Sequence, residues 1–296
     1  NIKEFTRVKP GSKAFVHYTP LKTIDRFANN SNLKFRYYNT AYMNDPEEGE
    51  ALINYLGSNV IGAYQNAKKS EELNVYLGSF LPAPELENKL VVWRTYGKDE
   101  NKEEAAGCSV VLRGNFFDQE TGEFYNQDKE KIETDYHRPR FNDNLHKVIY
   151  LDTANLEKPH HDIQVLDLLK ELSISLEEVM SIKKEVEDEK VYAAIDKIIF
   201  LMLSELTYFF KSSHYSYENE FRVIKFETGE KVKVDTEAID LPRKLYVESK
   251  RPLLRYIQKV ILGPKVKNQN QWQYIDALAK QNGFNVKVEP SGIAFQ

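Results

Sequence analysis

The sequence predicts an α+β protein with a mixed β-sheet and a helical insertion. Two observations carry this prediction. Segments rich in aromatic and β-branched residues, typical of strands, lie near both ends of the chain, and between them, from about 163 to 212, apolar residues recur at helical spacing. Because strands and helices do not alternate regularly, the pattern excludes a doubly wound parallel sheet. We therefore expect one sheet built from both ends of the chain.

The first predicted strand covers residues 12–19, where apolar and polar residues alternate. Pro20 ends this strand and opens a helix, in which Leu21, Ile24 and Phe27 share one face. The N-terminal region is thus expected to form a strand followed by a helix.

A second strand at 33–40 leads into another predicted helix. Asp45 suits the N-cap of that helix and Pro46 suits its first position, since Pro lacks the N–H that would be unpaired there. Further strands are predicted at 74–81, 108–113 and 146–151.

The predicted helical block follows. Its stretch at 191–210 is apolar enough to be largely buried, but Asp196 and Glu205 interrupt it, which argues against a membrane span. After this block, strands are predicted at 221–227, 244–249, 259–264 and 285–290, with an amphipathic helix at 271–281.

The charge balance, the single cysteine and the lack of a long apolar run limit the classes of function. The 296 residues include 41 Lys+Arg and 45 Asp+Glu, a net charge of −4, which argues against a protein that coats duplex nucleic acid and leaves a local basic groove open. The single Cys, Cys108, cannot form an intrachain disulfide, so a reducing cytoplasm is expected. No apolar run approaches the roughly 18 residues of a membrane span, and no membrane partner is expected.

The first candidate motif is Phe15 to Thr19. In a strand, His17 and Thr19 lie on one face, where they could grip a ribose hydroxyl. The alternative is a histidine at the end of a strand that binds a nearby backbone group, and this motif taken alone favours that alternative.

The second candidate motif runs from Tyr215 to Arg222 and contains two carboxylates. If the segment is extended, Glu218 and Glu220 share a face, and their repulsion demands a raised pKa or a cationic partner. Such a pair suits chemistry in which positive charge develops. The alternative is a pair of solvated acids on an edge strand, partly neutralised by Arg222 or Lys225.

The third candidate motif combines aromatic planes with a cation. Ser79 and Phe80 lie on a predicted strand, and Trp93 and Arg94 follow it; such groups could hold a planar base and a phosphate, or could belong to the core. No metal site is expected, because the adjacent His160 and His161 have no second ligand pair at suitable spacing.

The order of the motifs resembles a known family. The series is HYT at 17–19, YMNDPEEGE at 42–50, GSF at 78–80, WRTYG at 93–97, GCSVVL at 107–112, YENEFRV at 217–223 and KVILGP at 259–264. It resembles the bacterial family named domain of unknown function 2971, over most of the chain. That family in turn resembles a divergent branch of the ADP-ribosyltransferases, which clamp NAD in a split mixed β-sheet.

The resemblance implies one domain over 1–296, with a helical insertion at about 153–212 that carries no motif. It also implies roles for individual residues. His17 and Thr19 would hold the NAD ribose, and the backbone of Tyr18 would pair with the nicotinamide amide. The second-strand element is Ser79 or, alternatively, Tyr42.

In the same resemblance, Glu220 matches the invariant catalytic glutamate of the superfamily. Glu218 matches the first Glu of the E-x-E form associated with modification of arginine, and Tyr215 or Tyr217 would face the target. Arg94 would contact the pyrophosphate. Since cleavage of the nicotinamide–ribose bond develops positive charge at the ribose, a carboxylate there stabilises the transition state, and a second acid can orient or deprotonate the nucleophile.

The resemblance therefore implies an NAD-dependent ADP-ribosyltransferase with NAD as co-substrate. Its acceptor would be a macromolecule, with protein favoured over RNA. The protein would then be a bacterial toxin, effector or antiphage factor. It would act in the cytoplasm or after delivery into another cell. Two alternatives remain open: an NAD glycohydrolase with the same site, and a non-enzymatic module that binds a nucleotide or a peptide.

Overall fold

A computed structural model describes residues 2–8, 11, 13–43, 49–57, 60–62, 64–65, 74–83, 90–117, 143–152, 162–237 and 242–293. The chain divides into two compact units. Unit 1 comprises Asn1–Val8, Tyr38–Gly78 and His146–Val247, and unit 2 comprises Lys9–Tyr37, Ser79–Leu145 and Glu248–Gln296.

The described elements mix helices with a larger number of strands. The strands are β1 Ala14–Thr19, β2 Lys34–Asn39, β3 Val75–Pro82, β4 Cys108–Arg113, β5 Leu145–Lys147, β6 Ile149–Leu151, β7 Phe210–Ser212, β8 Phe221–Phe226, β9 Lys233–Val234, β10 Leu245–Pro252, β11 Ile257–Leu262 and β12 Lys287–Pro290. The helices are α1 Ile2–Thr6, α2 Leu21–Asn29, α3 Ala51–Leu56, α4 Leu90–Tyr96, α5 Ile163–Lys184, α6 Glu189–Thr207 and α7 Tyr274–Gln281.

The α+β class and the mixed sheet are confirmed. In unit 2 the strand order is β12-β11-β4-β1, and the second half of β3 pairs with β1. β1 and β11 run antiparallel to β4, with Ala14 opposite Arg113 and Ile257 opposite Leu112, whereas β12 runs parallel to β11. A core that includes Val16, Trp93 and Val111 packs on this sheet.

Unit 1 combines shorter strands with the two long helices. β8 pairs with β3 and β5, and β6 pairs with β7 in parallel register, with Tyr150 opposite Lys211. Asp162 and Asp188 are the N-caps of α5 and α6, and their carboxylates accept backbone N–H groups of the first turns. The helices bury apolar residues such as Leu169 of α5 with β6 and β7. The apolar face behind the helical periodicity at 163–207 therefore packs within unit 1.

Several element boundaries differ from the sequence prediction, three of them with a clear structural cause or consequence. The predicted strand at 146–151 is two short strands separated at Val148, and the end of the predicted helical block, 210–212, is strand β7. α3 begins at Ala51 because Gly49 adopts φ +81, a conformation that no helix interior accepts. The predicted cap at Asp45 and Pro46 lies outside the described residues.

Within the described residues, no helix combines the length and apolar character that crossing a membrane requires.

His146 on β5 is expected to make unit 1 less stable in acid. Burial, with the nearby Arg7 and Lys3 cations, lowers its pKa to about 4, and its Nδ1 lies 3.1 Å from Thr6 Oγ1. A lowered histidine pKa contributes stability above about 6.5 that is lost as pH falls towards 4. We expect about 2 kcal/mol of unfolding free energy to be lost between pH 7 and pH 5 through this residue.

Urea unfolding of His146→Gln over the same pH range tests this expectation. The variant should show a flatter pH dependence than the wild type. Equal slopes for His146→Gln and the wild type would contradict the assignment.

Candidate functional site

Unit 1 contains a cluster of four charged side chains that are almost fully enclosed. It consists of Lys211, Glu218, Glu220 and Arg222, which expose 8%, 1%, 3% and 1% of their surface. Two cations and two anions make the cluster formally neutral. Buried charges persist only where they are paired. We therefore expect ion pairs among these four side chains.

The local backbone brings these four residues together. Lys211 lies in the middle of β7, and the chain then forms a 3-10 turn over Ser213–Glu218 before β8 begins at Phe221. Between the turn and β8, Asn219 adopts φ +47 and ψ +48, a left-handed conformation that Asn tolerates better than most residues. This reversal places Glu218 and Glu220 on the same lysine although the segment is not extended.

Hydrogen bonds to charged groups join the cluster. Lys211 Nζ donates to Glu218 Oε2 at 2.8 Å and to Glu220 Oε2 at 3.4 Å. Arg222 donates from Nε to Glu220 Oε1 at 2.8 Å and from Nη2 to Glu220 Oε2 at 2.9 Å. This two-bond geometry holds the Glu220 carboxylate in one plane. Arg222 Nη1 also donates to the Tyr208 carbonyl at 3.1 Å.

The backbone of Glu220 is held on both sides. Its N–H donates to Tyr150 Oη at 2.8 Å, and its carbonyl accepts from the N–H of Val148 at 3.0 Å. Burial raises the pKa of the Tyr150 phenol, and the Glu220 and Glu218 carboxylates raise it further, against the backbone hydrogen bond from Glu220. Tyr150 therefore stays neutral and serves as an acceptor.

Lys211 stays charged despite its burial. Burial by itself lowers the pKa of its amine, but the Glu220 and Glu218 carboxylates outweigh both burial and the repulsion from Arg222, so the pKa rises above its usual value. The ammonium also lies 4.5 Å from the centre of the Tyr215 ring, which adds a cation–π contact. Lys211 is thus the link between the two carboxylates.

The interpretation of Glu218 and Glu220 as solvated acids on an edge strand is wrong, since both are buried. Two close carboxylates were expected to need a raised pKa or a cationic partner if the segment were extended. The segment is not extended, and the two acids have cationic partners, of which Arg222 is one. Lys211 and Tyr150 were not found from the sequence. A lysine within the buried strand Phe210–Ser212 is the one feature that could have pointed to an internal ion pair.

In unit 2, His17 and Ser79 come together through the backbone of Ser79. His17 Nδ1 lies 2.9 Å from the Ser79 carbonyl oxygen, while the Ser79 side chain is exposed. The His17 ring lies 4.7 Å from Phe35 and 5.6 Å from Phe80 between ring centres. Burial lowers the pKa of His17, and the hydrogen bond to Ser79 opposes this shift, so His17 is neutral at pH 7. Phe80 is fully buried.

The other predicted NAD contacts of unit 2 lie in or beside its core. Tyr18 is buried, with its ring edge-on to Trp93 at 4.9 Å. Thr19 is also buried, and its carbonyl accepts a hydrogen bond from Cys108 Sγ at 3.3 Å. Arg94 follows Trp93 on the exposed side of α4. This part of unit 2 exposes Ser79 and Arg94 but not Phe80 or Thr19.

Tyr42, the alternative second element, belongs to unit 1. It ends the 3-10 turn Thr40–Tyr42, and its hydroxyl donates to the carbonyl of Arg243 at 3.1 Å. His160 and His161 lie outside the described residues. Among the residues that the structure does describe, no group of three or more His, Cys, Asp or Glu could hold a metal ion.

Comparisons with known proteins gave no match: no protein-family model, no curated protein and no solved structure is similar to this chain.

Proposed function

We propose that the protein is an NAD-dependent ADP-ribosyltransferase in which Glu220 is the catalytic carboxylate. The observation that carries this proposal is the pair of carboxylates at the start of β8, Glu218 and Glu220, linked by Lys211 and oriented by Arg222. The pair lies within the YENEFR segment, which together with the NDPEE and WRTYG segments carries the family resemblance. A rigid carboxylate beside a second acid is what the transfer of ADP-ribose needs.

The chemistry follows from charge development. The bond between C1′ of the ribose and the nicotinamide nitrogen breaks, nicotinamide leaves with the bonding electrons, and a nucleophile of the acceptor forms the new bond to C1′. Glu220 stabilises the positive charge that develops at C1′ and accepts a hydrogen bond from the ribose hydroxyl next to it. Glu218 orients the nucleophile and accepts its proton.

The cations of the cluster position these acids. Arg222 fixes the plane of the Glu220 carboxylate by its two parallel hydrogen bonds, and Lys211 keeps Glu218 next to Glu220. Because Glu220 is only 3% exposed, the proposal requires the exposed turn residues His214, Ser216 and Tyr217 to move aside while Glu218 stays on Lys211. Such gating turns move on microsecond to millisecond timescales.

Incubation with NAD labelled on its adenylate phosphate, together with a bacterial lysate, tests the proposal. Label in a protein band identifies a protein acceptor, and label in RNA identifies an RNA acceptor. Label recovered only as free ADP-ribose identifies an NAD glycohydrolase. Unchanged NAD in every fraction rejects all three activities.

Glu218→Gln is expected to separate transfer from hydrolysis. The variant keeps the shape of the side chain but cannot accept a proton, so transfer to the acceptor should fall at least about tenfold, while hydrolysis of NAD by water should fall less than about threefold. Both rates are measured from one labelled reaction. Equal losses of the two rates would contradict the division of roles between Glu218 and Glu220.

The burial of the cluster favours a second candidate, a non-enzymatic module whose ionic core has only a structural role. Both carboxylates already have cationic partners, and neither exposes more than 3% of its surface. In that case isothermal calorimetry would detect no binding of NAD. A nucleotide or peptide recovered with the protein would then identify its ligand.

A further inference from the structure

One end of the sheet in unit 2 collects basic side chains from separate parts of the chain. β1 and β11 begin at this end, and β4 ends there, since Ala14 lies opposite Arg113 and Ile257 lies opposite Leu112. β3 also ends there, because the N–H of Ala83 donates to the Ala14 carbonyl at 3.0 Å. The register thus brings residues that are distant in sequence to one edge.

Five cations occupy this edge, and we call them the basic end. Lys13 precedes β1, Arg113 closes β4, Lys250 and Arg251 lie near the end of β10, and Arg255 lies in the turn before β11. All are exposed except Arg251, which is half-buried. Arg251 is also tied to this edge, because its guanidinium donates to the carbonyl of Asn115, just after β4.

Among the described residues, the charged side chains that define the basic end are all cations, and the half-buried Glu248 lies two residues before Lys250. The described segments that form it, 13–15, 81–83, 111–117 and 249–258, contain no Asp or Glu. Asp143, which accepts the N–H of Lys250 at 3.0 Å, is buried and 6% exposed.

The opposite end of the same strands carries both signs. Its carboxylates and lysines are interspersed, and Lys265 Nζ lies 4.0 Å from a carboxylate oxygen of Glu103. The charged residues of that end are Lys98, Asp99, Glu100, Lys102, Glu103, Glu104, Lys265 and Lys267. In a chain with a net charge of −4, five cations from the described segments at one edge are a local concentration of positive charge.

The chemistry of the basic end fits a phosphate backbone. Arg supplies three of its five cations, and the guanidinium binds phosphate oxygens in pairs. Arg251 also lies 5.6 Å from the ring centre of the half-buried Tyr256, an aromatic surface of the type on which bases stack. A membrane fits less well, since Leu253 and Leu254 between these cations are buried and no exposed large apolar residue lies in the four segments.

We infer that the basic end of unit 2 binds single-stranded RNA through its phosphate backbone. Lys13, Arg113, Lys250, Arg251 and Arg255 contact successive phosphates, and binding is independent of base sequence. The inference rests on unit 2 alone and stands whether or not unit 1 transfers ADP-ribose.

Fluorescence anisotropy with a labelled 15-nucleotide RNA of mixed sequence tests the inference on the whole protein. Five phosphate contacts predict a slope of about −3.5 for log K against log salt concentration. The two contacts that remain after the loss of three predict a slope of about −1.4. The triple variant Lys13→Gln, Arg113→Gln, Arg255→Gln should therefore bind at least about tenfold more weakly in 100 mM salt. A melting curve confirms that it is folded.

The matched control removes the same charge elsewhere on unit 2. Lys22→Gln, Lys102→Gln, Lys267→Gln replaces three exposed lysines outside the basic end and should bind RNA within about twofold of the wild type. Equal weakening in both triple variants would show general charge attraction and overturn the inference. So would the absence of RNA binding at 50 mM salt, or binding to phosphatidylserine vesicles in preference to RNA.

Discussion

Glu220→Gln is expected to lower the rate of nicotinamide release from NAD about 100-fold or more, because the neutral amide no longer stabilises the positive charge at the ribose. The substitution also leaves Lys211 and Arg222 buried with Glu218 as their one carboxylate in the cluster, so some stability is lost as well. The measurement is release of nicotinamide by chromatography, made at a temperature where the melting curve shows the variant folded.

A matched control separates lost chemistry from lost stability. Lys183 and Asp196 form a second buried ion pair in unit 1, between α5 and α6, and the two residues expose 4% and 7% of their surface. Asp196→Asn removes a buried carboxylate in the same way but should retain NAD cleavage. If Glu220→Gln is folded and fully active, Glu220 is not the catalytic carboxylate and the proposed function is wrong.

Arg222→Met is expected to reduce the free energy of unfolding by about 3 to 5 kcal/mol, the usual cost of breaking a buried ion pair. The substitution fills similar space but leaves the Glu220 carboxylate without its two-bond partner and the Tyr208 carbonyl without the Arg222 donor. Urea unfolding measures the change. This prediction holds for either candidate function, because it depends only on the pairing within unit 1.

A double-mutant cycle tests whether the loss comes from the pairing. With Glu220→Gln already present, adding Arg222→Met should cost about 1 to 3 kcal/mol less than it does in the wild type, since the carboxylate is no longer charged. Arg222→Lys keeps the charge but loses the planar fork, and its stability should lie between those of the wild type and Arg222→Met. Additive effects of Arg222→Met and Glu220→Gln would show that the two residues are not coupled.

The strands were largely predictable because local pattern and final burial agree. In β4, a run of apolar and β-branched residues predicted a strand at 108–113, and the structure has a strand at Cys108–Arg113, buried along most of its length. The α5 and α6 periodicities likewise predicted helices. The predicted element boundaries were wrong in two kinds of place. In one, a single backbone conformation sets where a helix begins, as at Gly49 before α3. In the other, a three-residue strand such as β7 forms only by pairing with a partner distant in sequence.

The candidate site was predictable only in part. Two glutamates two residues apart indicated a raised pKa or a cationic partner, because like charges repel. The partners of the two acids were harder to predict. Arg222 had been considered only as a neighbour of solvated acids. Lys211 and Tyr150 come close to Glu220 because β6 pairs with β7 and because Asn219 adopts a left-handed conformation. Pairings between segments distant in the chain cannot be predicted from local sequence patterns.

The sequence by itself determined the α+β class, most strands and the long helices, since these follow from periodicity. The choice of Glu218 and Glu220 as site residues rests on the family resemblance of the YENEFR segment and stays a prediction. Only the tertiary structure decided that the two acids are enclosed with Lys211 and Arg222, and that five scattered cations meet at one edge of unit 2. The physical reason is that burial and strand register are set by contacts between distant segments, whose energies no local pattern contains.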